Sequence, residues 1–363
     1  MSGSLRRDNL RQLLRENEVE AILVTNFTNV SYLTGFTGDD SYLLVTDQSQ
    51  ALLSDPRYTT QLEQECPGLP LEIRQPGTTM GSWTAEVVGR HSLSRLAVEA
   101  DTMTVGQFQA MQEKLAGVEL KPVSGLVEKL RLIKDDQEVA AIREAARIAE
   151  RAFDVLRATL RAGQTEREVA HDLEHQIRLF GGSGCSFPPI VAVGPQAALP
   201  HARPTDIRIG SSEFVLIDWG ARAAQYVSDL TRVLVTGKIP PKLETIYEVV
   251  LNAQQQAIAA IRPGAVLQEI DAVARDIITE AGYGPQFGHG LGHGIGLEVH
   301  EAPRLAKNQP QTLQTGMVVT VEPGIYLPGW GGVRIEDDVL VTSTGYEVLT
   351  SAPKQFADCV ATI

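Results

Sequence analysis

Two stretches of this chain resemble each other at an offset of 101 residues: RAGQTEREVAHDLE from Arg161 and RPGAVLQEIDAVAR from Arg262, with Gly181 meeting Gly282 at the same spacing. Each copy reads as a long helix, a turn containing Gly, a second helix and then a pair of strands. A chain that repeats one order of elements is restricted to folds made of two like halves. Such halves can bury their helices on the outside of one shared antiparallel sheet. Chance similarity between two amphipathic helices is the alternative, and the matching order of elements favours duplication.

Ahead of the repeat, the first third alternates helix and strand. A polar helix runs to about Asn17, VEAILVT forms a strand, and SYLLVTD and ALLSD form a strand pair, with GFTGDD and DPRY as turns. A long amphipathic helix follows from Asp136, whose carboxylate can cap it, to about Arg161. The expected organisation is α/β (α+β), with a small domain over 1–125 and a larger one over 126–363.

Composition narrows the partners. A formal charge of −13 over 363 residues argues against nucleic acid and anionic membranes, since phosphate binding needs a basic surface. No apolar run approaches the roughly 18 residues that span a bilayer. The opening MSGSLRRDNLRQLLREN lacks an apolar signal core, so a cytoplasmic protein is expected. Three widely spaced cysteines, Cys66, Cys185 and Cys359, form no CxxC pair and read as reduced thiols. The sequons at Asn26 and Asn29 read as chance matches.

The chemistry gathers in the second half of each repeat. EFVLIDWG places Asp218 after four apolar residues, and beyond the turn ARAAQ the strand YVSDLTRVLVTG carries Asp229. A hairpin of this length brings the two carboxylates to one face, directly or diagonally opposed. In the other copy MVVTVEPGIYLP places Glu322 where a strand meets Pro323, and GGVRIEDDVLV places Glu336 in the middle of the next strand. Any one of these acids alone reads as an ordinary solvated residue. Four converging on a pseudo-twofold axis repel one another unless cations lie between them.

The stretch GHGLGHGIGLEVHE holds three of the chain's seven histidines. His289 and His293 stand four apart, but Gly290 occupies the position where a helical zinc-protease motif needs Glu. Five glycines between Gly288 and Gly296 oppose a helix and favour an extended or looped segment whose backbone approaches something closely. In an extended chain His289 and His293 share a face and His300 takes the other, which favours one ligand, His293, with two helpers. Oxygen donors with one imidazole suit Mn²⁺ or Co²⁺ and also accept Zn²⁺.

Asp218 and Asp229 eleven apart, His293 in its glycine-rich segment, Glu322 in VEPGIY and Glu336 in GGVRIEDD together resemble the pita-bread metallopeptidases, closest to the prolidase and aminopeptidase P group. YLTGFTG and DPRYTTQ are similar to the small creatinase-like N-terminal domain of that group, so the resemblance covers nearly the whole chain. It implies a C-terminal pita-bread domain with a curved antiparallel sheet. It also implies two divalent ions per chain, Mn²⁺ first with Co²⁺ or Zn²⁺ as alternatives, a homodimer, and hydrolysis of the bond between any residue and a following proline in short peptides. His201, in LPHARPTD, and His300 are implied beside the scissile bond, with His289 and Arg334 near the substrate. Glu322 could move a proton from water to the leaving nitrogen, and either histidine could stabilise the oxyanion. GGSGCSFPPIVAVG, Tyr326 and Trp330 are candidates for a proline pocket, with turn packing as the other use of Trp330. Competing readings are methionine aminopeptidase or creatinase-like chemistry on the same fold, and a binding protein that lost its metals.

Overall fold

The computed structural model describes residues 3–361 and 363. It divides into two compact units, residues 1–131 and 132–363. The first unit runs α1 (Gly3–Glu16), β1 (Ala21–Val24), α2 (Phe27–Thr34), β2 (Tyr42–Thr46), β3 (Gln50–Ser54), α3 (Thr59–Glu65), β4 (Leu71–Ile73), α4 (Met80–Gly89), β5 (Arg95–Glu99), α5 (Val105–Lys114), β6 (Glu119–Val123) and α6 (Leu126–Arg131). Its six strands form one mixed sheet in the order β4-β3-β2-β1-β5-β6. The central strand β1, AILV, is apolar throughout and buried throughout, as a strand covered on both faces must be. DPRY becomes a short 3-10 turn over Pro56–Tyr58 capped by the Asp55 carboxylate.

Asn26 and Asn29, the two sequon residues, both belong to the packing of α2. The Asn26 side chain caps the helix by accepting from the Thr28 N–H. Asn29 is fully buried, and its amide donates to Glu99 and Glu128 at 2.6 Å each while its carbonyl accepts from Arg131 at 2.9 Å.

The second unit opens with α7 (Asp136–Thr159) and α8 (Glu166–Leu179). Strands β7 (Gly184–Cys185), β8 (Ile190–Val193), β9 (Phe214–Trp219), β10 (Ala221–Ala223), β11 (Tyr226–Val227) and β12 (Leu230–Val235) complete the first half. The second half runs α9 (Pro241–Ala259), α10 (Leu267–Glu280), β13 (Gly292–Gly294), β14 (Glu301–Leu305), β15 (Val318–Val321), β16 (Gly324–Leu327), β17 (Gly331–Arg334), β18 (Asp337–Val341) and β19 (Tyr346–Val348). Helices α8 and α10 begin and end at the 101-residue offset legible in the sequence, and Gly181 and Gly282 both take left-handed backbone just past them, at φ 98° and 87°.

Two sequence expectations are corrected here. The cap of α7 is Asp135 and not Asp136: the Asp135 carboxylate accepts from the Gln137 and Glu138 N–H groups, and Glu138 reaches back to the Asp135 N–H. The helix also stops at Thr159, because Leu160 is already extended at ψ 136°.

All pairs among these strands are antiparallel, in two small sheets, β11-β10-β7 and β16-β17, and two main ones, β12-β9-β8 and β14-β13-β15-β18-β19. A bridge between Thr231 and Glu336 joins them across the pseudo-twofold. Strand β9 is buried on both faces: Val215, Ile217 and Trp219 pack with α7 and α8, whereas Phe214 and Leu216 pack with α9 and α10. By the two-residue period of a strand, Asp218 lies on the second of these faces.

Candidate metal centre

Each half delivers its two carboxylates by the same local device. Asp218 sits near the end of β9 opposite Thr231, and Asp229, two residues before Thr231, is its diagonal neighbour. Glu322 follows β15 directly, and its N–H donates to the Leu291 carbonyl at 2.8 Å. Asp229 does not lie within a continuous strand, nor does Glu336 lie in the middle of one. Both occupy the break between two strands, Asp229 between β11 and β12 and Glu336 between β17 and β18. The chain there passes from a small hairpin to a main sheet, so these side chains leave the regular alternation and point into the space between the halves.

His293 comes from β13, where close approach of the backbone is real. A Cβ at Gly292 would stand 2.0 Å from the Thr320 carbonyl oxygen, and one at Gly294 would stand 2.1 Å from that of Ala302. Glycine on both sides therefore seats the imidazole against β14 and β15. The Asp229, His293 and Glu336 donor atoms all lie within 4.8 Å of one another. Glu322 joins them, its Oε1 being 3.2 Å from His293 Nε2, and Asp229 Oδ2 lies 3.9 Å from the same nitrogen.

Hydrogen bonds fix the cage from outside. Thr231 Oγ1 donates to Glu336 Oε2 at 2.6 Å, Thr320 Oγ1 to Glu322 Oε1 at 3.1 Å, and the Asp229 N–H to Asp338 Oδ2 at 3.1 Å. Arg334 is buried, with Nε on Thr231 Oγ1 at 3.0 Å, Nη1 on the Tyr326 hydroxyl at 2.9 Å and Nη2 on Asp218 Oδ2 at 2.5 Å. His289 Nε2 meets the same Tyr326 hydroxyl at 2.9 Å, so a chain of polar contacts leads from His289 to Asp218. Asp338 has no place in the sequence reading. The run Glu336-Asp337-Asp338 was its one available signal.

The electrostatics are those of a crowded anion site. Burial and then the charge of its neighbours, Glu336 first, push the Asp229 carboxyl well above its usual range. Glu336 is raised well above by burial and by Glu322, and burial lifts Asp338 to about 8. Glu322 goes the other way: burial raises it, but the bond to His293 and the nearby cationic groups outweigh that and hold it at about 2. The oxygens Asp218 Oδ1, Asp229 Oδ1 and Asp338 Oδ1 are buried with no hydrogen-bond partner. Buried acceptors without donors, one of them on Asp229 beside His293, are a misfit for protein packing and a fit for a divalent cation.

The remaining predicted residues fall around this cage. His300 is exposed, and its ring centroid lies 4.4 Å from that of His293. That corrects the expectation of opposite faces: the chain turns between Ile295 and His300 and returns antiparallel as β14, so strand parity does not carry across. His201 is exposed, in a segment that lies against β17: a Cβ at Gly332 would stand 2.1 Å from the Ala197 carbonyl oxygen. Trp330 packs on Phe214 at 5.2 Å between ring centroids, which is the turn-packing use of this residue. Ile190, from the apolar segment before His201, lies opposite Asp218 across β8 and β9.

A buried cage of acids around one imidazole, built on two like halves, defines a protein with a divalent-metal site. Residues 140–343 match the family model of metallopeptidase family M24, and residues 6–133 match that of the creatinase/prolidase N-terminal domain. The chain belongs to metallopeptidase family M24. It is 36% identical over 345 residues to an Xaa-Pro dipeptidase of Pyrococcus horikoshii, covering 95% of this chain and 96% of that one. Among solved structures it is similar to an Xaa-Pro dipeptidase from Bacillus anthracis (TM-score 0.94, 41% identity, 98% and 99% of the two chains). An X-Pro aminopeptidase from Thermotoga maritima is similar too (TM-score 0.88, 34% identity, 95% and 98% of the two chains). The pita-bread architecture and the creatinase-like first domain are those of this family.

Proposed function

We propose that this chain hydrolyses the bond between an N-terminal residue and proline in short peptides, using two divalent ions held by Asp218, Asp229, His293, Glu322 and Glu336. The observation that carries the reading is the convergence of Asp229, His293 and Glu336 within 4.8 Å, where Asp229 Oδ1 is buried without a hydrogen-bond partner. The identity of relatives named for Xaa-Pro substrates supports the choice of bond. Mn²⁺ suits the oxygen-rich donor set first, with Co²⁺ or Zn²⁺ as alternatives. Such ions supply Lewis acidity and an activated water when bound.

The chain's own residues do the rest. Glu322 carries a proton toward the leaving nitrogen, which as the nitrogen of proline has no hydrogen of its own. His201 and His300 stabilise negative charge on the carbonyl oxygen from the open side of the cage. Arg334 and His289 act on the substrate side through Tyr326, which both of them contact. We place the protein in the cytoplasm as a homodimer, for which sedimentation is the test.

Two measurements decide the reading. Purified protein supplemented with Mn²⁺ should hold about two ions per chain and turn over Xaa-Pro or Xaa-Pro-Xaa peptides. Fewer than one ion per chain would favour a binding protein on the same fold. Comparing the two substrates separates a dipeptidase from an aminopeptidase.

A further inference from the structure

Glu166 is the first residue of α8, and it is completely buried. A carboxylate pays heavily for such a place unless its oxygens are satisfied. Here they are: Oε1 accepts from the Val193 N–H at 2.7 Å, and Oε2 accepts from the Thr205 N–H at 2.8 Å and the Thr205 hydroxyl at 2.6 Å. Val193 ends β8, and Thr205 lies just past Pro204. One carboxylate thus closes the two ends of the segment 194–204, whose only histidine is His201.

The pseudo-twofold supplies an internal control. In the first half the free N–H groups at the start of α8 are satisfied by the loop, Glu166 N on Ile207 O at 2.9 Å and Arg167 N on Thr205 O at 3.1 Å. The second half repeats this at the start of α10, with Leu267 N on Gln311 O at 2.9 Å and Gln268 N on Gln309 O at 3.1 Å. The position equivalent to Glu166 is Leu267, buried to 1% exposure. The architecture is therefore satisfied by an apolar side chain, and the carboxylate answers a need peculiar to the loop of the first half.

We infer that Glu166 is a positioning residue for His201, fixing the loop that carries this exposed imidazole and lies against β17 through the Ala197 carbonyl. The inference rests on the proposed role of His201 and extends it to a residue that touches no substrate. Glu166→Gln exchanges an acceptor for a donor that faces the Thr205 or Val193 N–H and opens one side of the clasp.

Three variants, each assayed with its Mn²⁺ content and melting temperature, test this: E166Q, H201A and the double variant. H201A should lose roughly 100-fold in kcat. E166Q should keep its Mn²⁺ and its KM within a few-fold and lose about tenfold or more in kcat, because displaced catalytic groups lose rate steeply. The double variant should be no slower than H201A, since Glu166 has nothing left to position. Wild-type kcat in E166Q, or losses that multiply in the double variant, would overturn the inference while leaving the role of His201 intact. Wild-type turnover in H201A would instead remove that role, and the inference with it. If E166Q does not fold, Thr205→Val and Thr205→Ser repeat the test on the other side of the clasp. Valine should lose rate through His201, serine should restore it, and equal rates in both would overturn the inference.

Discussion

Replacing Asp229 by Ala removes one acid from a cluster that is otherwise self-repelling. The fold should survive, because the change relieves repulsion among buried acids and leaves the backbone N–H on Asp338. Metal content and turnover should both fall by 10-fold or more, an order typical of losing a group on which metal affinity depends. Normal Mn²⁺ stoichiometry with normal rate in D229A would rule out its place in the cage. His300→Ala makes the complementary case: its ring packs on that of His293 but is exposed, so the variant should keep its metal and lose roughly 100-fold in turnover. Loss of metal in H300A would show that the ring serves mainly to seat His293.

Strand β13 shows how an element can be specified by absence of side chains. A Cβ at Gly292 would drive into the Thr320 carbonyl, which belongs to backbone and cannot swing away. Gly292→Ala should therefore push β13 off β15 at a cost of about 1–3 kcal/mol and carry His293 out of register. Weaker Mn²⁺ binding with a lowered melting temperature is the expected pair of results, and an unchanged Mn²⁺ titration would refute the coupling. Much of this element was legible in the sequence, since alternating glycines announced a backbone held close to another. What was not legible depended on partners distant along the chain. The turn that brings His300 back to His293 cannot be deduced from parity, and nothing in EREVAHDLE says that Glu166 reaches Val193 and Thr205. The strand breaks that aim Asp229 and Glu336 were equally hidden, because a break between sheets is a property of tertiary pairing. The α8 and α10 repeat was readable because both copies are local and periodic.

At the scale of the whole molecule, stability and metal are linked through protons. Without cations, Asp218, Asp229, Glu336 and Asp338 bind protons more tightly in the fold than in the unfolded chain, Asp338 titrating at about 8. Groups raised in this way contribute stability below their unfolded pKa values near 4, and that contribution is lost as pH rises through their folded values. Glu322, held at about 2, contributes in the opposite sense and loses its share only in strong acid. Chelator-treated protein should therefore lose melting temperature steadily from about pH 5 to pH 9, whereas Mn²⁺-loaded protein should vary far less, because the ions replace the protons. Parallel melting curves for the two preparations across that range would contradict this.

Asn29 has a practical corollary for anyone producing the protein. Its side chain lies wholly inside the first unit, bonded to Glu99, Glu128 and Arg131, yet NVS is an acceptor for glycan transfer. In a secretory eukaryotic host the transferase meets the nascent polypeptide before it folds, and a sugar attached there has no room in the finished unit. Yield from such a host should be poor and heterogeneous. Ser31→Ala would abolish the acceptor sequence at the cost of the Ser31 hydroxyl's bond to the Phe36 carbonyl, so a bacterial cytoplasm, where no transferase waits, is the better factory.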